Sequence, residues 1–491
     1  MLASDGLKKS YFVLLITTLT FTLCFAVWML NGVLITFLTS NQIYNWDLAK
    51  VGLLIGTPVL TGSLLRLPAG LLTDRFGGKP VMIGILLISS IPLFLMSYAD
   101  SYLSFLLCSI GFGVAGSSFA VGVAYVSLWF PKEKQGLVLG IFGAGNAGAA
   151  ITTLFAPSLL LSLTNNLDNL DAWRKLPIIY GSIMVFCAIL FLLLIKNKKP
   201  TTIPRTFLKQ LTPLKCLRVW RFGLYYFLVF GCFVAFSQWL MPYYVNVYNL
   251  SIVSAGFLVS LFSFPSGIIR VLGGWLSDKY GGRIVMYWVL SLSIFISFSL
   301  IIPKMEITSP GKGIMAMNSG IVEKVTPNLI IVGGCNYELT QHQRGLDNAN
   351  ERSFVFPIKD VWQEANVKVG DSVTKKQLIA KGITKIYFQA NIWIFSILII
   401  LLGIVWGIGK AAVYKHIPQY FPEQVGVVGG IVGVLGGLGG FFCPILFGYL
   451  LDGTGLWTSS FMLLFFISSI CLLWMHNVIQ KILKEKHQNL F

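Results

Sequence analysis

GSLLRLPAGLLTDRFGGKP (62–80) and SGIIRVLGGWLSDKYGGRI (266–284) are two copies of one stretch, 204 residues apart. Each contains G-x-L-x-D-[RK]-x-G-G-[RK], and each carries an arginine eight residues before the aspartate: Arg66 before Asp74, Arg270 before Asp278. The glycine pair permits a tight turn between helices. Asp74 and Asp278 can cap helix ends or pair with basic residues across an interface between halves. A single copy would be a charged loop with a turn. Two copies in equivalent places indicate an internal repeat.

A second pair agrees. VSLWFPKEKQG (126–136) and KHIPQYFPEQVG (415–426) each end an apolar segment and open a glycine-rich one, at an offset of 290 from Gly136 to Gly426. The offsets differ by 86, so an insertion of that size lies between the pairs, at 303–388.

The chain between these landmarks is 55% hydrophobic and 11% charged over 491 residues, with mean hydropathy +0.76. Soluble domains carry roughly 25% charged residues, so the bilayer is the solvent here. Spans of about 20 apolar residues are expected at 11–39, 51–73, 80–98, 102–130, 136–162, 177–195, 222–249, 252–276, 283–302, 389–413, 425–451 and 456–476. The expected architecture is all-α and polytopic, with twelve helices in two six-helix halves and a small β-rich insertion between helices nine and ten. The divisions are 1–195, a basic linker 196–221, 222–302, the insertion 303–388, 389–476 and a tail 477–491.

The net charge of +18 would suggest nucleic acid in a soluble protein. Here eight Lys or Arg and no acid fall in 196–221, and Lys8, Lys9, Arg75, Lys79, Lys132, Lys134, Lys279, Arg283, Lys481, Lys484 and Lys486 fall at alternate helix ends. The intervening loops hold Asp47, Asp100, Asp168, Asp171 and Asp452. This is the positive-inside pattern. It puts both termini in the cytoplasm, the protein in the inner membrane, and 303–388 outside. Of eight cysteines only Cys335 lies in a long polar stretch, so no disulfide framework is available. The apolar run from Tyr11 exceeds a signal-peptide core and is read as a first span.

Arg66 lies about 12 Å from the motif end of its helix, near the middle of a hydrocarbon core about 30 Å thick. Arg270 shares its depth by the repeat. No Asp or Glu lies mid-span. An intramembrane arginine costs at least about 2.5 kcal/mol, and two repel. An anionic ligand resolves this, because the planar guanidinium fork suits a planar oxyanion and keeps its proton. The plainer reading is that each arginine bonds backbone carbonyls or snorkels. A symmetric pair argues against it.

Span five (GLVLGIFGAGNAGAAITTLFAP, 136–157) and span eleven (GVVGGIVGVLGGLGGFFCP, 426–444) are dense in glycine. Close helix packing accounts for most of these glycines. Asn146 is a polar amide that offers donors to an anion, and Gly143 and Gly145 keep its surroundings bare. The paired arginines with GAGNAG and GGLGG resemble the nitrate/nitrite porter family of the major facilitator superfamily, over nearly the whole chain except 303–388. The loop motif is similar to that superfamily's signature. The resemblance implies an anion held between Arg66 and Arg270, with Gly143 and Asn146 in the signature stretch. It also implies aromatic packing from Phe119, Tyr226 and Phe230, Tyr226 donating its hydroxyl. Contacts from spans one and ten are not assignable, because aromatics make up 14% of the chain.

Coupling stays open between nitrate/nitrite exchange and proton symport. Two fixed cations without a titratable acid suit exchange. Lys410 is the coupling candidate for symport, although a lysine snorkelling to the surface is the plainer reading. In the insertion, VKVGDSVTKKQLIAKG (367–382) is similar to part of a biotinyl/lipoyl sandwich, without a lysine in the setting that is modified. His342 is its only histidine, so no metal site and no cofactor are expected. The insertion is passive, or contacts an unknown partner or gates entry. The rival functions are a carrier of formate, oxalate or a monocarboxylate, and a receptor sensing through 303–388. An enzyme lacks any nucleophile–base set. A monomer in contact with lipid is the default for this architecture.

Overall fold

A computed structural model describes residues 2–131, 135–199, 212–302, 305–341, 358–388, 390–421 and 425–488. Residues 200–211 of the basic linker, with Lys132, Lys134 and His342, lie outside these residues. Among the described residues eleven helices are long and apolar enough to cross a membrane: Lys8–Ser40, Leu48–Phe76, Gly78–Met96, Tyr102–Ser127, Val138–Leu163, Leu170–Leu194, Leu217–Tyr248, Gly282–Ser299, Ile392–Ile417, Val428–Thr454 and Ser459–Ile482. A twelfth is the pair Ile252–Ile268 and Arg270–Tyr280, bent by 42°. In chain order these are spans one to twelve, with the bent pair as span eight.

The two repeat copies break alike. Span two is interrupted at Leu65, between helices Leu48–Leu64 and Arg66–Phe76. Span eight is interrupted at Ile269. Each arginine is therefore the first residue after a break. Pro68 falls in the first turn of the resumed helix, where a missing N–H leaves no intrahelical bond unmade. The loop glycines Gly77 and Gly281 both have φ +86°, a region that side-chain-bearing residues rarely adopt.

Three more irregularities surround the same level. Span four tightens to a 3₁₀ turn at Gly113–Ser117, span five does so at Ala144–Ala147, and span seven widens to a π turn at Phe227–Cys232. Such departures from α geometry re-aim side chains and cluster at functional sites.

The halves pack unevenly along their length. Beyond the arginines, on the side away from the motif loops, glycines let the backbones touch. A Cβ at Gly56 of span two would lie 2.6 Å from the Phe441 carbonyl oxygen of span eleven, and one at Gly32 would lie 2.8 Å from Gln238 Cα. On the motif side the contacts open. A Cβ at Gly430 of span eleven would meet only Leu67 of span two, at 3.8 Å, and one at Gly140 of span five would meet no described atom within 4 Å. The molecule is closed on one side of the arginines and open on the motif-loop side.

Residues 302–395, with Val247–Asn249, form a separate compact unit. Its strands are β1 (Met305–Met315), β2 (Gly320–Val325), β3 (Leu329–Val332), β4 (Cys335–Glu338), β5 (Ile358–Ala365), β6 (Ser372–Val373) and β7 (Leu378–Phe388). They build a three-stranded sheet, β1-β7-β5, and a four-stranded sheet, β4-β3-β2-β6. All the pairings are antiparallel. Val322, Ile330, Val332, Val373 and Ile379 are buried together in one core. The alternation in GIVEKV and NLIIVGG is the sequence signal of β2 and β3.

Candidate functional site

Each arginine reaches across to the opposite half and meets a repeat-equivalent glycine. Arg66 donates from Nη1 to the Gly433 carbonyl oxygen at 2.8 Å. Arg270 lies against Gly143, where an added Cβ would stand 3.2 Å from its Nη1. Gly143 and Gly433 are separated by 290 residues, the offset of the second motif pair. The sequence repeat is thus a geometric one at the centre of the molecule, and the bare glycines give the guanidinium groups room.

Aromatic rings wall the site. The Arg66 guanidinium carbon lies 5.5 Å from the Trp28 ring, 5.5 Å from Phe119 and 5.2 Å from Phe230. Arg270 lies 5.7 Å from the Tyr414 ring. Tyr226 stacks on Phe230 at 4.9 Å and meets Tyr414 edge-on at 5.0 Å. These contacts hold the cations in place by cation–π attraction but remove no charge.

Polar atoms are left without protein partners. Arg66 Nε, Arg270 Nη1, both amide atoms of Asn146, and Ser63 Oγ are buried with no hydrogen bond. A buried polar atom without a partner costs about 1–3 kcal/mol, so this group is built for something that is not protein. Among the described residues no carboxylate pairs with either arginine. Ion pairs among the described residues join Asp47 to Lys50, Asp100 to Arg174, Glu306 to Lys385 and Asp278 to Lys415. The described residues contain no cluster of metal-ligating side chains.

The structure brings Arg66, Arg270, Gly143, Phe119, Tyr226 and Phe230 around one centre. It places Asn146 one turn past Gly143, in the 3₁₀ segment of span five. Sequence reasoning missed Trp28, Ser63 and Tyr414. Trp28 and Tyr414 come from the two spans whose contacts could not be assigned. Tyr414 stands one helical turn after Lys410, which was the available signal.

Two expectations need correction. Lys410 does not snorkel. It is fully buried, donates to Ser266 Oγ at 3.0 Å, and sits 3.1 Å above the Phe233 ring. Its stem crosses between spans seven and eight rather than running along span ten to the surface. Ser266 is one turn before Arg270, so a third basic side chain adjoins the pair. The motif aspartates do not pair across the halves. Asp278 pairs with Lys415 of its own half, and Asp74 forms no ion pair among the described residues. Both lie in the last turn of their helices on the side where the halves stand apart, and among the described residues neither has a cross-half partner.

Two repeated bundles with a cationic centre between them and one side closed define a membrane carrier. Residues 16–323 and 378–488 match the family profile of the Major Facilitator Superfamily. A structure of a bacterial homologue of the human lysosomal transporter Spinster, inward-facing and occupied, superposes with TM-score 0.63, covering 96% of this chain and 97% of that one at 15% identity. The chain is 37% identical to the "Probable nitrate/nitrite antiporter NarK1" of Thermus thermophilus, over 97% of this chain and 94% of that protein. It is 26% identical to the "Nitrite extrusion protein" of Bacillus subtilis, over 96% and 95%. The chain belongs to the nitrate/nitrite porter family of the major facilitator superfamily.

Proposed function

We propose that this protein moves nitrate and nitrite across the inner membrane by alternating access, exchanging one for the other. Both termini are cytoplasmic in this reading, and the β unit faces outward as a passive insertion. The observation that carries it is the pair of repeat-related arginines with buried N–H groups unpaired and no ion-pair partner among the described residues. A monovalent planar oxyanion accepts from Arg66 and Arg270 at once. Asn146 and Tyr226 donate beside them, and Phe119 and Phe230 pack the ion's faces.

Exchange follows from charge. In the motif-open state an anion enters between two cations carried on opposite halves. It offsets their repulsion, and spans five and eleven can then close against spans eight and two. The empty carrier retains its repulsion and closes slowly, so return needs a second anion. A second reading, proton symport, is favoured by the buried Lys410 one turn from the site.

Proteoliposomes decide between them. Exchange predicts labelled nitrate uptake only into vesicles loaded with nitrite, and Lys410→Met keeps most of that activity. Uptake into empty vesicles driven by an imposed proton gradient, and lost in Lys410→Met, would overturn exchange. A carrier of organic anions would instead show inhibition by excess oxalate or a monocarboxylate. Asn146→Leu keeps the helix but removes the amide donors. Nitrate affinity should fall about tenfold, the worth of one hydrogen bond to a charged group, as read from the KM of uptake.

A further inference from the structure

We propose that a second anion site lies at the motif-side ends of spans seven, nine, ten and twelve, and that it binds the phosphoryl group of an anionic phospholipid. The cleft there is open to solvent and has a cavity volume of about 40 Å³. Arg218, Arg221 and Arg283 line one wall and Val478, Ile479 and Ile482 the other, with no carboxylate among the lining residues. The proposal is independent of what the central site carries.

Like charges are gathered here, and no carboxylate among the described lining residues offsets them. Arg218 lies 4.3 Å from the Tyr420 ring and Arg283 lies 5.8 Å from it. Arg283 also donates to the Tyr420 hydroxyl. Two guanidinium groups are thus ordered on one ring, and ordering them costs side-chain entropy as well as repulsion. His416, at 4% exposure, lines the cleft and stacks on Phe222. Its Nδ1 is buried without a partner, and so is Nε of Arg221. These donors and charges suit a phosphoryl oxyanion, which arginine binds through paired N–H groups.

The second wall selects the source of that phosphoryl group. Arg218 and Arg221 stand in the first two turns of span seven, Arg283 in the first turn of span nine, and Ile482 at the end of span twelve. That is headgroup level, where basic pockets between helices hold anionic lipid headgroups. A soluble phosphate has no use for the apolar wall of Val478, Ile479 and Ile482, whereas an acyl chain can run along it.

Native mass spectrometry of the full chain, titrated with phosphatidylglycerol or phosphatidylcholine, tests this. The expected result is preferential binding of phosphatidylglycerol. Arg218→Gln/Arg221→Gln should weaken it about 25-fold, roughly fivefold per arginine, and Arg218→Lys/Arg221→Lys should keep most of it. Equal retention of the two lipids, or wild-type affinity in the glutamine variant, would overturn the site. A third arm needs no variant: inorganic phosphate at millimolar concentration should not displace phosphatidylglycerol. Displacement would overturn the lipid assignment in favour of a soluble phosphate.

Discussion

Arg66→Gln and Arg270→Gln are each expected to lower nitrate uptake at least about 30-fold, and to abolish the rise in melting temperature that nitrate gives the intact protein. Glutamine keeps a donor and much of the side-chain length but removes the charge. Breaking one side of a buried, hydrogen-bonded charge interaction costs about 2–5 kcal/mol, or roughly 30- to several-thousand-fold. The ligand-induced shift disappears because an anion that no longer binds cannot stabilise the folded state by mass action. Without nitrate the variants should melt no lower than the parent, since each has shed an intramembrane charge that lacks a carboxylate. Arg66→Lys should fail nearly as badly. The Gly433 carbonyl bond at 2.8 Å uses one guanidinium nitrogen, and a lysine offers a single nitrogen for both carbonyl and ligand. Uptake in proteoliposomes and a thermal melt with and without nitrate check both halves of the prediction.

Gly140→Leu should give the second large effect, with the opposite signature. Nothing described lies within 4 Å of a Cβ at Gly140 in this conformation, so the folded protein accommodates the side chain and its melting temperature changes little. Its repeat counterpart Gly430 faces Leu67 across the open side. Closing that side brings the equivalent face of span five against span eight, and a leucine there is overpacked. Overpacking costs about 1–3 kcal/mol, so uptake should fall roughly 5- to 150-fold while nitrate binding persists. Gly56→Leu provides the contrast. Its Cβ would already lie 2.6 Å from the Phe441 carbonyl oxygen, so it should lower the melting temperature of the motif-open state itself.

Most of the architecture was legible because it is written twice. The offset of 204 locates both broken helices and both arginines, and hydropathy supplies the spans. The helix breaks at Leu65 and Ile269 were not legible, because leucine and isoleucine carry no breaking signal. Within the site, charge in an apolar span is rare enough to single out Arg66 and Arg270. Trp28 and Tyr414 were hidden among many aromatics, and only their placement against Arg66 and Arg270 selects them. Lys410 was misread for a related reason. Its position near the motif side allows snorkelling, and only the packing of spans seven and eight shows that its amine turns inward to Ser266. Ser63 is a small hydroxyl in an apolar helix, and such residues most often bond their own backbone. The paired fit of Gly143 to Arg270 and of Gly433 to Arg66 was recoverable in principle from combining the two offsets.

The most direct test of the account is equilibrium binding of labelled nitrate to the purified protein, beside its Arg66→Ala/Arg270→Ala variant. The account predicts one nitrate per chain, displaced by nitrite, and none bound by the folded double variant. Nitrate bound by that variant at wild-type affinity would contradict it, because the ion would then be held without the two arginines.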